Sequence, residues 1–217
     1  YDGEIYTVTA TIPGKTDDEF ALLAHLYEPF CTDDSQGFGA GVEIALLVKK
    51  LIDDGVLPKP ERTLRLIFSM ERYGFAAFFA HHDKKIIAAT SIDSLTCRAV
   101  KELNLGQRII ESPMTRAFFG DMLFDELMNT FCSDIHWYLK PGTLSDDCWM
   151  AEETVDIPSN WCVSSSKNEN EDYHHTSAPI FNEVDYEKIA KLVPMLALYS
   201  SIMICANKKQ LTALSQK

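Results

Sequence analysis

Short apolar runs of strand length alternate along this chain with stretches of helical spacing, and a polar, chemistry-bearing residue follows the early runs. Tyr6 to Ile12 (YTVTATI) alternates and is rich in Thr and Val, which predicts a half-buried strand, and Pro13-Gly14 turns the chain after it. Phe20 to Leu26 (FALLAHL), Leu64 to Phe68 (LRLIF) and Ile86 to Ile92 (IIAATSI) predict buried strands. Val42 to Ile52 has helical spacing and ends at Asp53-Asp54-Gly55; Phe75 to His82 predicts a short helix and Thr115 to Cys132 an amphipathic one. Ile135 to Leu139 and Ile157 to Cys162 read as further short strands. Asp185 is placed to cap a last long helix ending near Cys205, with a kink expected at Pro194. This alternation predicts an α/β fold, with a mixed, largely parallel central sheet and helices on both faces.

A length of 217 residues suits one domain, 1–217, and neither an internal repeat nor a linker divides it. The polar stretch Ser164 to Asp172 predicts a loop. Hydrophobic residues at 46% and charged residues at 24% exclude wholesale disorder. Twenty Lys and Arg against 32 Asp and Glu give a net charge of −12; the basic stripe of a nucleic-acid binder is not visible, and the charge argues against docking on an anionic membrane. No apolar run is read as reaching the roughly 18 residues of a membrane span. The opening Tyr1-Asp2-Gly3-Glu4 has neither the basic start nor the apolar stretch of a signal peptide. Six cysteines, with no CxxC pair, read as buried free thiols rather than a disulfide framework.

In open α/β sheets the functional residues lie beyond the carboxyl ends of the strands. There the runs deliver His25, Asp33 and Asp34, then Glu71, then Asp93, while His174 and His175 precede the last helix. Imidazoles and carboxylates in this mix suit zinc or a similar divalent ion, and a bridging carboxylate allows two ions. Each residue also has a plain structural reading. His25 could be a packed histidine, Asp33-Asp34 a solvated turn, Asp93 a helix cap, Glu71 half of an ion pair, and His174-His175 surface. His81, His82 and His136 are read that way. Order and common placement set the group apart.

These residues sit in segments that resemble the zinc-dependent aminopeptidases of phosphorylase/hydrolase-like fold, the group of bacterial leucyl aminopeptidases and glutamate carboxypeptidases, with a divergent bacterial aminopeptidase-like branch as a nearer match. VTATIPGKTDDEFALLAHLYEP (8–29) resembles the strand, Pro-Gly turn and strand that end in a metal-binding histidine. DDSQGFGAGVEIALLVKKL (33–51) resembles the Asp-Asn, small-residue, Gly-Val loop and the helix after it. RTLRLIFSMERYGFAAFFA (62–80) resembles the strand leading to an acidic pair, and IIAATSIDSLT (86–96) the strand ending in an aspartate ligand. LSDDCWMAEETVDIP (144–158) and DYHHTSAP (172–179) resemble the Ser-Asp segment and the late Tyr-His-Thr-Ser motif. The resemblance implies one or two zinc ions, or other divalent metals. His25, Asp34 (or Asp33), Asp93 and His175 would be ligands, Glu71 the general base, and Asp146 or Asp147 part of the substrate pocket. It also implies an exopeptidase that hydrolyses a peptide or aminoacyl substrate with a metal-activated water.

The chain departs from the family pattern at several points. Met70-Glu71-Arg72-Tyr73-Gly74 carries one carboxylate where the family has two, so Glu71 is either base or ligand, and Arg72, which cannot bind a metal, takes the other place. Tyr27 stands where an aspartate would orient the first histidine, Ser35 replaces asparagine, and Pro179 replaces a late aspartate. The competing reading is therefore a peptidase-fold module whose chemistry has decayed and which binds a peptide or partner protein. A serine hydrolase is disfavoured because no Gly-x-Ser-x-Gly elbow occurs. Cys31 and Cys148 read as buried thiols rather than nucleophiles.

Overall fold

A computed structural model describes residues 3–26, 34–96, 102–107, 109–110, 114–115, 118–141, 156–164 and 184–214. The elements run in chain order as β1 (Val8–Ile12), β2 (Glu19–Leu26), α1 (Ser35–Asp53), β3 (Thr63–Met70), α2 (Tyr73–His81), β4 (Ile86–Asp93), β5 (Glu102–Gln107), β6 (Ile109–Ile110), β7 (Met114–Thr115), α3 (Phe119–Phe131), β8 (His136–Pro141), β9 (Ser159–Ser164), α4 (Tyr186–Cys205) and α5 (Lys208–Leu214). Seven strands form one sheet in the order β1-β3-β2-β4-β9-β5-β8, and β6 pairs with β7 separately. β3, β2, β4 and β9 run parallel; β1 lies antiparallel on β3, and β5 antiparallel on β9. The expected mixed, largely parallel sheet is present.

The reason lies in the central runs. β2 is buried along nearly its whole length, as a parallel strand covered on both faces must be. Phe20, Leu22 and Ala24 point into a core with Ile44 and Val48 of α1, Phe124 and Leu127 of α3, and Leu196 and Tyr199 of α4. Ala21 and Leu23 point the other way, onto Phe75 of α2 with Ile67 and Ala89. The period-2 alternation of a strand thus divides one apolar run between two helical layers.

Several features differ from the sequence expectation. α1 begins at Ser35 rather than Val42, because Asp34 caps it, its carboxylate accepting from Gly37 N–H. The glycines of this stretch permit close approach rather than a loop: a Cβ on Gly41 would sit 3.2 Å from the Phe68 ring. β5, unforeseen, inserts between β9 and β8, and β9 ends two residues later than expected. α3 starts at Phe119, where Asp121 accepts from Phe118 N–H at 3.0 Å. α4 is capped by Asp185 as expected and continues through Pro194 without interruption. By length and composition α4 is also apolar enough to cross a membrane, which corrects the expectation that no such stretch exists. Of its apolar window, 56% is buried inside the fold, and α4 packs against α1 and α3 as a core helix.

Candidate metal centre

Because β2, β3 and β4 are parallel neighbours, their carboxyl ends open on one rim. His25 pairs with Ser69 across β2 and β3, and Leu26 with Met70, so Glu71 follows immediately at the same edge. Asp93 ends β4. Asp34 stands at the N-terminus of α1, which leads back from that rim.

One ligand atom from each of His25, Asp34 and Asp93 lies within 4.8 Å of those of the other two. All three side chains are buried, at 3%, 1% and 5% exposure, so water cannot screen their charges. His25 Nε2 is 3.7 Å from Asp93 Oδ1. Asp34 Oδ1 accepts from Gly37 N–H at 2.8 Å and Ser94 N–H at 3.2 Å, and Asp34 Oδ2 accepts from His25 N–H at 3.2 Å. Asp93 Oδ2 accepts from the indole N–H of Trp161 at 3.3 Å, while Asp93 Oδ1 accepts no hydrogen bond among the described residues.

The local fold explains how these atoms are held. Ser94 follows β4 with φ 43, a left-handed conformation that turns its N–H back to Asp34. Gln36 and Thr96 bond three times, Nε2 to Thr96 O at 2.7 Å and Thr96 N–H and Oγ1–H to Oε1 at 2.9 and 3.3 Å, tying the first turn of α1 to the segment after β4. Thr96 Oγ1 in turn accepts from Asp185 N–H at 3.1 Å, joining the start of α4 to the same rim. Gly37 lies so close that a Cβ there would collide with both Asp34 carboxylate oxygens and with Ile92 O.

Electrostatically the group calls for a cation. Burial, then the adjacent Asp93, push the Asp34 carboxyl well above its ordinary range; His25 and the amides of Gly37 and Ser94 pull in the opposite direction. Two carboxylates confined without water are unfavourable unless paired or coordinated. One imidazole nitrogen with two carboxylate oxygens, one of them a buried oxygen without a hydrogen-bond donor among the described residues, is a set that could hold a zinc-type ion.

The other sequence-derived candidates fall as follows. Glu71 is half-buried at the rim, in a tight turn where Tyr73 N–H reaches Glu71 O at 2.5 Å, and it stands outside the three-residue group. Arg72 caps α2 with φ 53 and its side chain is exposed. Asp33, Asp146, Asp147, His174 and His175 lie outside the described residues, as do Tyr27, Cys31, Cys148 and Pro179. Sequence reasoning missed Trp161, whose role depends on the register that sets β9 beside β4. It also missed the buried cluster at the opposite rim, where Glu19 receives Arg65 in a two-pronged pair at 2.5 and 2.6 Å and His82 at 2.8 Å. His82 therefore has the structural role expected of it, and His81 and His136 are exposed.

No family model matches the chain, and no curated protein matches it. Solved structures do. The zinc aminopeptidase from Bacillus subtilis superimposes with a TM-score of 0.73 at 14% identity, over 94% of this chain and 51% of its own. The LapA aminopeptidase of Legionella pneumophila gives 0.70 at 13% identity, over 93% and 56%. The glutaminyl cyclase of Porphyromonas gingivalis gives 0.67 at 15% identity, over 92% and 77%. The chain thus spans about half the length of these aminopeptidases. Its architecture is the aminopeptidase-like fold that zinc aminopeptidases and glutaminyl cyclase share.

Proposed function

We propose that this chain is a metal-dependent exopeptidase of aminopeptidase type, acting on a peptide or aminoacyl substrate. The observation that carries the reading is the convergence of His25, Asp34 and Asp93 at the carboxyl rim of an aminopeptidase-like sheet. These three would hold zinc or another divalent ion, and His175, ten residues before the rim-bound Asp185 in the sequence, is the remaining candidate for a further ligand. A divalent ion held there supplies Lewis acidity, polarising the scissile carbonyl and lowering the pKa of an attacking water.

The remaining work belongs to side chains. Glu71, half-buried at the same edge, takes a proton from the attacking water and returns it to the leaving amine. Asp146 or Asp147 lines the substrate pocket. The second reading, a binding module without chemistry, is favoured by Arg72, which stands in the sequence where the family keeps a second carboxylate. A panel of aminoacyl amides with added zinc, cobalt or manganese separates the two. We expect turnover, falling about 10²–10⁴-fold in Glu71→Gln while metal content stays the same. Metal-free protein that turns over nothing, yet binds free peptide termini, would select the binding module instead.

A further inference from the structure

We propose that the centre takes a single ion, held by one atom from each of His25, Asp34 and Asp93, and that Asp34 cannot bridge two. The inference rests on the metal-dependent reading above and fixes the number of ions in it.

A carboxylate has about four acceptor directions, two on each oxygen. Asp34 Oδ1 uses both of its own, on Gly37 N–H and Ser94 N–H, and Oδ2 uses one on His25 N–H. Among the described residues one direction remains, on Oδ2. A bridging role needs both oxygens on metal, so Oδ1 would have to give up one of its two backbone donors within a buried group. Those donors cannot move aside. Gly37 N–H belongs to the first turn of α1, packed so closely that even a Cβ is excluded. Ser94 N–H is aimed by its left-handed backbone.

Asp93 is limited in the same way. The Trp161 indole holds Oδ2, which leaves Oδ1, the oxygen that faces His25 Nε2. Trp161 is thus a positioning residue that presents one oxygen rather than two. The end of β3 adds no further carboxylate to the group, since Glu71 stands outside it and Arg72 is exposed. Among the described residues this makes three single-atom protein ligands, the number found in one-ion catalytic zinc sites, with the next place left to water or His175.

The test is stoichiometry. The full chain is loaded with zinc, gel-filtered and assayed by native mass spectrometry and elemental analysis, with a parallel cobalt titration followed by visible absorption. We expect one tightly held ion per chain, a cobalt spectrum that saturates at one equivalent, and loss of that ion in Asp93→Asn. Trp161→Phe should still bind one equivalent, at about 10–100-fold lower affinity. Two retained ions, both lost in Asp34→Asn, overturn the inference and leave the metal-dependent reading standing. No retained ion in a folded chain overturns both. Unchanged affinity in Trp161→Phe removes Trp161 from the positioning role.

Discussion

Glu19→Gln tests whether the sheet is held from the rim opposite the candidate metal centre. Glu19 opens β2 at 3% exposure and binds Arg65 through both oxygens and His82 through one. Glutamine keeps the shape but strands the Arg65 guanidinium, 16% exposed, beside a neutral amide. Breaking a buried pair from one side costs about 3–5 kcal/mol; the water that reaches Arg65 brings the expectation to about 2–4 kcal/mol. For a chain of this length that is roughly a 5–15 °C drop in Tm. Glu19 and His25 lie six positions apart along β2, about 20 Å at the strand rise, so metal uptake should not change. The pH profile adds a second readout. Burial alone would raise the Glu19 carboxyl, but Arg65 and His82 hold it below its ordinary value. Its contribution is therefore full above the unfolded carboxyl's pKa and disappears as pH falls through the lowered folded value. Urea unfolding from pH 7 to pH 3 should show the variant weaker at neutral pH, the gap closing in acid. A second change, Arg65→Met, should recover most of the loss, because the stranded charge is then gone. Equal stability at pH 7 with identical acid profiles would refute the reasoning, as would a changed metal content.

Two neighbouring glycines of α1 should respond with opposite sign. Gly37→Ala pushes a Cβ into the Asp34 carboxylate and Ile92 O, and should cost about 1–3 kcal/mol and weaken zinc binding. Gly39→Ala meets nothing within 4 Å and should stabilise by about 0.5–1 kcal/mol; thermal melts with and without zinc check both. Cys132 and Cys162 are free and buried, and burial pushes both thiols up, with Asp134 and Asp93 as the next causes. Iodoacetamide at pH 8 should leave both unmodified in the native chain and label them after unfolding, read by peptide mass mapping; rapid native labelling of Cys162 would contradict its burial.

The amino-acid sequence by itself determined the central strands and the polar residues at their ends. β2, β3 and β4 carry both helical layers, so their apolar runs are nearly continuous and visible without partners. The first charged or imidazole side chain at the end of such a run has to emerge at the rim, which is how His25 and Asp93 could be named. Asp185 was legible as a cap because capping is local, a carboxylate meeting an amide three residues on. Asp34 has the same local geometry, but the glycines after it concealed the helix it starts. Only tertiary structure decided the rest. That Asp34 spends Oδ1 on Gly37 and Ser94 depends on β4 ending beside α1. That Trp161 holds Asp93, or that Glu19 is a buried ion partner rather than a solvated turn, depends on residues 46 to 68 positions away. A side chain's valence toward a metal or a proton is set by which donors already occupy it, and those donors come from other strands.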